Sequence, residues 1–232
     1  MKNTLKLLLG AIILQSCIIV RTDRDGVYRN YDNSEKVKDF AGKPMESRDF
    51  EVKKFSEIKA NSAMKVYIKK AAQQKVVVSS NAINYIVVSS ENGILKVEYN
   101  NQNNSINNLN AEITVYTPDF EKLSASSAGQ IFINDDFQLN KLKINLDSAG
   151  KVMGNIFAEK LFVNVSSAAF LESKVQSKII EIDASSASKV NLSGTTEEIK
   201  INANSVAKIN LENLKYKNIQ QESSSLAKIY VK

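Results

Sequence analysis

The amino-acid sequence predicts an all-β protein: a right-handed parallel β-solenoid (β-helix-like) with coils of about 20 residues and an N-terminal hairpin region. Three observations predict this fold. After Pro118 one sequence unit recurs at a nearly fixed spacing. Segments such as KVYIKK and EITVYTP alternate polar with β-branched residues, as strands do. Beyond the N-terminal apolar run, no long stretch has the period of a helix.

The repeated unit centres on a serine that follows another small polar residue. Successive central serines are separated by 21, 19, 19, 19 and 20 residues, which is typical of stacked coils. An earlier copy, residues 58–69, is predicted to be the first coil, with the hairpin region inserted or packed beside it. The central serines are Ser127, Ser148, Ser167, Ser186, Ser205 and Ser225.

Each position of the repeat predicts a role. Aliphatic residues stand four positions before and four positions after the serine, and we expect them to form the core. The preceding Asn, Asp or Ser favours a turn. The following residue is mostly Ala, which predicts a tightly packed position. Since stacked strands lie about 4.8 Å apart, the serine hydroxyls are predicted to hydrogen-bond along a ladder.

The segments KVVVSS, YIVVSS, ILKVEY and EITVYTP are predicted to be strands. Asn92-Gly93 lies between YIVVSS and ILKVEY and is a strong signal for a two-residue hairpin turn. The segment NNQNNSINNLN, residues 100–110, is predicted to be a long loop.

The N-terminus predicts export. Lys2 and Lys6 precede an apolar run that ends at Leu-Gln-Ser-Cys17. This segment resembles a bacterial lipoprotein signal, which implies removal of residues 1–16 and lipidation of Cys17. A plain signal peptide cleaved nearby is the alternative. More than one acyl chain would anchor the protein stably. By resemblance to enterobacterial sorting, Ile18 implies the outer membrane. Residues 17–46 are then the lipidated cysteine and tether, and residues 47–232 the domain.

The composition argues against several kinds of chemistry. The chain has no His and one Cys, so Ser-His and Cys-His nucleophile pairs, thiolate metal sites and internal disulfides are not expected. No catalytic residue, metal site or cofactor is predicted. The formal net charge of +6 is small and dispersed, and together with the export signal it argues against a nucleic-acid partner.

One motif suggests catalysis when it is considered alone. Ser186-Ala-Ser-Lys189 matches the Ser-x-x-Lys signature of serine acyltransferases, which places both residues on one face of a helix. The same spacing recurs in five repeats that are strand-like on both flanks. We therefore interpret it as a solenoid corner.

The lysines of this motif fall in one column. They are predicted either to form a binding stripe for an acidic glycan or lipid headgroup, or to be a solvated edge that blocks sheet-to-sheet aggregation, and the edge role is preferred. The column consists of Lys65, Lys151, Lys189, Lys208 and Lys228.

Residues 47–232 resemble a known family. The segments that carry the resemblance are RDFEVKKFSEIKANSAMKVYIKK, KVVVSSNAINYIVVSSENGILKVEY and EITVYTPDFEKLSASSAGQI, with the repeated Ser-Ala-Gly/Ser units. They look like the autotransporter adhesin head GIN domain, common in Bacteroidetes-type bacteria. The resemblance implies adhesion or surface interaction without established catalytic residues, so no site residue is transferred. This sequence mostly has Ser-Ser-Ala where the family has Gly-Ser-Gly, which implies stiffer corners.

The expected function is that of a non-catalytic cell-envelope lipoprotein, an adhesin or surface-interaction module that faces the periplasm or the cell exterior. Its partner would be a glycan or an envelope protein. Two alternatives stay open: a structural or assembly partner that binds envelope protein, and a β-helix enzyme acting on polysaccharide. The C-terminal segment LAKIYVK is predicted to be an edge strand, guarded by Lys228 and Lys232 or used for strand addition or homodimerisation.

Overall fold

A computed structural model describes residues 38–100 and 106–232 of the chain. The predicted signal peptide, Cys17 and residues 18–37 lie outside the described residues. The described part is nearly all β-structure, with one short 3₁₀ turn at Ile83–Tyr85. Its strands are β1 (Lys38–Asp39), β2 (Glu46–Phe50), β3 (Glu57–Ala60), β4 (Lys65–Lys70), β5 (Lys75–Ser80), β6 (Ile86–Glu91), β7 (Ile94–Tyr99), β8 (Ile106–Asn107), β9 (Ala111–Thr117), β10 (Lys122–Ala125), β11 (Gln130–Ile133), β12 (Gln138–Leu146), β13 (Lys151–Val165), β14 (Phe170–Ala184), β15 (Lys189–Ala203), β16 (Lys208–Lys215), β17 (Asn218–Ser223) and β18 (Lys228–Tyr230).

The repeats form a parallel β-solenoid, as predicted. Each coil has one strand that enters a serine corner and one that leaves it, and both pair in parallel with the same strands of the adjacent coils. Thus β10 pairs with β3 and β12, which places Leu123 beside Ile58 and Ile144. From β13 to β15 the strands are long enough to run from one corner to the next, and they pair in register along their length.

The aliphatic columns form the core, which confirms that prediction. Leu123 and Ile144 on the entering strands and Ile131 and Val190 on the leaving strands have no exposed surface. Side chains alternate across a strand, so residues an even number of positions apart face the same way. In the last coil Gln221 breaks the aliphatic pattern and is exposed.

Residues 58–69 form the first coil, and the hairpin region packs beside it, as predicted. β3 lies between β10 and β7, and β4 lies between β11 and β9. β6 and β7 form an antiparallel hairpin whose turn residues Asn92 and Gly93 both have positive φ angles. β5 pairs antiparallel with β9 and β2. The hairpin region therefore covers the N-terminal end of the stack.

The C-terminal part of the predicted tether is structured. β1 pairs with β8, and the ring of Phe40 meets the edge of Tyr85 at 5.3 Å between centroids. The Asn81 side-chain amide donates a hydrogen bond to the Phe40 carbonyl at 2.9 Å. Residues from Lys38 onward thus contact the hairpin region.

Candidate binding surface

Seven serine corners stack along the solenoid, and each is a tight turn with two residues in the left-handed region. At one corner, Ser167 and Ala168 have φ angles of 52° and 62°. The Ala169 N–H donates to the Ser166 carbonyl at 3.0 Å. Two positive φ angles with this hydrogen bond are the features of a type I′ turn. The left-handed conformation costs a non-glycine residue about 1–2 kcal/mol, so other contacts must stabilise these turns.

A backbone ladder through the corners supplies that stabilisation. The N–H of the residue after a central serine donates to the carbonyl of the central serine in the next coil, at 2.9–3.1 Å. Ala128 donates in this way to Ser148, and Ala149 to Ser167. Among the described residues no hydrogen bond joins the hydroxyls of two central serines, so the ladder that links these corners runs through backbone atoms and not through the predicted hydroxyls. The serines that stand in register are Ser127, Ser148, Ser167, Ser186, Ser205 and Ser225.

The predicted tight position was wrong by one residue. Ala128 and Ala168, which follow central serines, are exposed. The close approach is at the next position, where a Cβ added to Gly150 would lie 2.1 Å from the Ala125 carbonyl oxygen of the neighbouring coil. Small residues at the exposed position reflect the left-handed turn, which larger side chains disfavour.

The predicted lysines form one column on the strands that leave the corners, which we call the lysine column. Pairing places Lys189 between Phe170 and Lys208, and Lys208 beside Lys228. Its lysines are exposed, and none forms an ion pair with another described residue. From the first coil to the last, the column consists of Lys65, Gln130, Lys151, Phe170, Lys189, Lys208 and Lys228, and on the other side of Lys65 lies Glu112 of β9.

The lysine column does not follow an open sheet edge. The strands that carry Lys65, Lys151, Lys189 and Lys208 pair with other strands on both sides. Of the strands that carry the five lysines, β18, which carries Lys228, is the one that pairs on a single side. Edge protection, the interpretation preferred from the sequence, is therefore wrong for four of the five lysines. These four lysines are exposed and lie on the outer face of the solenoid. The open edges of the sheet are at the two ends of the stack.

Aromatic side chains border the lysine column. The Lys189 Nζ lies 5.5 Å from the centre of the Phe170 ring, a cation–π contact. Tyr67 and Phe132, two residues beyond the column in the first two coils, stack with centroids 4.9 Å apart. Positive charge beside half-buried aromatic rings is a combination that can bind an anionic ligand with an apolar face.

Amide and carboxylate side chains stack on the strands that enter the corners. The Asn164 amide donates to the Asn145 side-chain carbonyl at 3.0 Å. The Asn202 amide donates to an Asp183 carboxylate oxygen at 2.9 Å. Neighbouring side chains thus satisfy one another along the stack.

The residue before a central serine also bonds between coils. The Ser166 hydroxyl donates to an Asp147 carboxylate oxygen at 3.0 Å, and the Ser148 N–H donates to the same carboxylate at 2.8 Å. Hydrogen bonds from the hydroxyls of Ser167 and Ser166 hold the pKa of Asp147 below its ordinary value. This carboxylate is therefore engaged in holding the corner together.

A second bend occurs within each long strand, at residues 158–160, 177–179 and 196–198. There the alternation of buried and exposed residues breaks, and at the second and third of these bends a buried hydroxyl supports the turn of the backbone. The Ser177 hydroxyl donates to the Ile179 carbonyl at 2.9 Å, and the Thr196 hydroxyl donates to the Glu198 carbonyl at 3.1 Å.

The outward residues at the second bend form a charged stack, which we call the bend column. It consists of Glu159, Lys178, Glu197 and Lys217, so the sign of the charge alternates. Glu159 and Lys178 pair at 2.6 Å, and Glu197 and Lys217 at 3.3 Å. The hydrogen bond and charge of Lys178 lower the pKa of Glu159, and Glu159 in turn raises the pKa of Lys178.

The Ser-x-x-Lys motif lies in a turn. Ser186 and Ala187 have φ angles of 53° and 62°, so Ser186 and Lys189 do not share a helical face. In the described residues, no three or more His, Cys, Asp or Glu side chains are grouped to hold a metal ion. That same part of the chain contains no helix with the length and apolarity to span a bilayer.

Sequence reasoning missed the stacked amides and the bend column, although a signal for both is present. Asn145, Asn164, Asp183 and Asn202 recur every 19 residues. The bend column recurs at 19, 19 and 20 residues, as Glu159, Lys178, Glu197 and Lys217.

Comparisons with known proteins agree with this architecture. The family model described as "Putative auto-transporter adhesin, head GIN domain" matches residues 54–232. A crystal structure from Parabacteroides distasonis, described as a putative lipid binding protein, is 17% identical with a TM-score of 0.69, over 85% of this chain and all of that chain. A putative adhesin from Parabacteroides merdae is 14% identical, with a TM-score of 0.67 over 84% of this chain and 98% of that chain. One from Bacteroides fragilis is 16% identical, with a TM-score of 0.64 over 82% of this chain and 98% of that chain. No curated protein matches the chain in sequence.

Proposed function

The chain belongs to the family described as putative auto-transporter adhesin, head GIN domain, and we propose that it is a non-catalytic binding module of the cell envelope. Its ligand would be anionic, an acidic glycan or an anionic lipid headgroup, held along the lysine column. The family assignment indicates an exported, envelope-associated protein. The observation that supports an anionic ligand is the column of exposed lysines, none of which forms an ion pair with another described residue.

The solenoid fixes the positions of these charges. Each strand that carries Lys151, Lys189 or Lys208 is hydrogen-bonded to a strand on either side, so Lys189 and Lys208 lie about 4.8 Å apart along the axis, and Lys151 lies two such spacings from Lys189, with Phe170 between them. A polymer with regularly placed acidic groups could meet several of them at once. Such multiple weak contacts add through effective concentration.

The proposed anchor is Cys17. The sequence before it resembles a lipoprotein signal, and residues 17–37 would lead from the acyl chains to the first described strand. We place the protein at the outer membrane, facing the periplasm or the cell exterior. Mass spectrometry of the mature N-terminal peptide tests this anchor, since an unmodified Cys17 would contradict it.

Binding to polygalacturonate tests the proposed ligand class, with its methyl ester as the uncharged counterpart. We expect the full chain to bind the acid form and not the ester, with an affinity that falls steeply as salt is added. A variant that combines Lys151→Gln, Lys189→Gln and Lys208→Gln should bind roughly tenfold more weakly. The matched control is Lys143→Gln, Lys160→Gln and Lys200→Gln, which removes the same charge from exposed positions on entering strands.

Equal loss of binding in both triple variants would show that affinity depends only on net charge. That result would contradict the assignment of the ligand to the lysine column. Release of reducing ends from the polymer in the same assay would instead favour the polysaccharide-acting enzyme. Equal binding of the acid and the ester would remove the anionic ligand from the proposal.

A protein partner is the second candidate, supported by the last coil. Within the described residues β17 and β18 pair on one side only, with β15 and β16. Strand addition by an envelope protein or by a second copy would extend the sheet there. Sedimentation of the full chain over a wide concentration range tests self-association, and a monomer throughout would leave only another protein for this edge.

A further inference from the structure

The exposed corner position departs from its own pattern in the last two coils. Five corners have Ala after the central serine, whereas the sixth and seventh have Val206 and Leu226. Val206 is 47% exposed and Leu226 is 81% exposed. The N–H of Val206 donates to the Ser225 carbonyl at 3.1 Å, so the two corners are adjacent in the stack.

Neither the turn nor the core accounts for these two side chains. Val206 and Leu226 have φ angles of 70° and 67°. A β-branched or bulky residue is disfavoured in this left-handed region. The other corners form the same turn with alanine, so the fold does not require a larger residue. A strained, exposed aliphatic side chain is an observation that points to a contact outside the chain.

Cationic side chains flank this apolar corner. Lys208 follows Val206 by two residues and Lys228 follows Leu226 by two residues, and both lysines are exposed. Their strands pair so that the two lysines are neighbours. On the entering side the nearest acidic residue is Glu222, four positions before Leu226.

We propose that the corner of Val206 and Leu226 docks on an anionic lipid bilayer. The two aliphatic side chains would enter the headgroup region, and Lys208 and Lys228 would lie at the level of the anionic headgroups. Apolar side chains next to lysines are the arrangement of interfacial membrane-binding segments. A second copy fits this corner less well, because it would bring the same lysines together. This inference rests on the proposed envelope function and names one ligand for the end of the lysine column.

The absence of Trp from the sequence allows a local test. Leu226→Trp places a single fluorophore at the corner, and Ala128→Trp places one at the equivalent position near the other end of the stack. Both are made in the full chain, so any membrane attachment by the N-terminal residues is common to them. Vesicles contain phosphatidylcholine with or without phosphatidylglycerol, and carry brominated acyl chains that quench nearby Trp.

We expect the Leu226→Trp emission to shift to the blue and to be quenched in anionic vesicles, and not in neutral ones. Ala128→Trp should stay unchanged in both. Adding Lys208→Gln and Lys228→Gln to Leu226→Trp should remove most of the quenching, since each lysine near an anionic surface contributes a factor of about five. Adding Lys143→Gln and Lys200→Gln to Leu226→Trp instead should leave the quenching unchanged.

Three results would overturn the inference: no quenching of Leu226→Trp, equal quenching at both corners, or a blue shift that appears without vesicles as the protein self-associates. Each of these three results can occur whether or not polygalacturonate binds at Lys151 and Lys189. If the polymer binds and the corner is not quenched, the docking proposal fails and the proposed function stands.

Discussion

The bend column and the lysine column run along the same stack of coils and distribute charge in opposite ways. In the bend column, acidic and basic residues alternate, so Lys178 has a carboxylate on either side, Glu159 and Glu197. Glu159 and Lys178 pair at 2.6 Å. Exposed pairs of this kind are worth little individually, but alternation ensures that no like charges are adjacent.

The lysine column has no such alternation. Lys189, Lys208 and Lys228 are consecutive, and each side chain is exposed without an ion pair to another described residue. Like charges directly opposite on neighbouring strands destabilise a sheet. The bend column shows that the repeat can avoid this arrangement at the same spacing. A ligand-binding role for the lysine column, as proposed above, would account for this difference between the two columns.

Replacing one lysine by glutamate in the lysine column should separate stability from binding. Lys208→Glu would put a carboxylate between Lys189 and Lys228, so we expect the melting temperature to rise. Binding to polygalacturonate should weaken roughly tenfold, because one attractive charge becomes repulsive. Thermal unfolding and titration at one low salt concentration measure the two effects. A lower melting temperature would show that repulsion between the lysines is negligible.

The same replacement in the bend column should act in the opposite way. Lys178→Glu would stack three carboxylates, so we expect the melting temperature to fall, on the order of 2–4 °C. Binding to polygalacturonate should change little, since the bend column is not the proposed ligand face. Lys178→Gln removes the ion pair without adding repulsion, so its melting temperature should lie between those of the parent and Lys178→Glu. Identical melting temperatures for the two variants would mean that the stacking of like charges has no effect.

The regular part of this fold could be predicted because one residue of each coil repeats nearly unchanged. The aliphatic positions around Ser167 and Ser186 have a single physical requirement, burial, and it appears directly as Ile, Leu or Val at a fixed distance from the serine. The same spacing around Ser62 predicts the first coil at residues 58–69. The Asn92-Gly93 hairpin could be predicted because that pair strongly favours two positive φ angles.

The conformation and exposure of the corner could not be predicted from the same repeat. Ser-Ala has little preference for a left-handed turn, so the type I′ geometry of Ser186 and Ala187 depends on the backbone ladder between coils. That ladder is a tertiary interaction without a sequence signature. Alanine occurs both in buried positions and in exposed turns, so its identity alone does not distinguish them. The bend column repeats in position but alternates in sign, and a search for like residues does not detect it.

The smallest predicted effect concerns the titration of the bend column. The folded-state pKa of Glu159 lies below its ordinary value of 4.5, because Lys178 hydrogen-bonds to it and carries a positive charge. A lowered acidic pKa contributes stability that is present above the unfolded-state pKa and is lost as the pH falls through the folded-state pKa. The raised pKa of Lys178 contributes stability that is fully present below its ordinary value of 10.5 and is lost as the pH rises through the folded-state pKa.

The Glu159–Lys178 pair should therefore be intact at pH values between the folded-state pKa of Glu159 and that of Lys178. An NMR titration of the Glu159 side-chain carboxyl measures the lower of these two pKa values. Lys178→Gln should move the midpoint of Glu159 upward, toward 4.5. Lys189→Gln removes the same charge from the lysine column of the next coil and should leave that midpoint where it is. If both variants moved it equally, the field of the whole solenoid rather than the stacked neighbour would set the pKa, and the contrast between the two columns would lose its electrostatic basis.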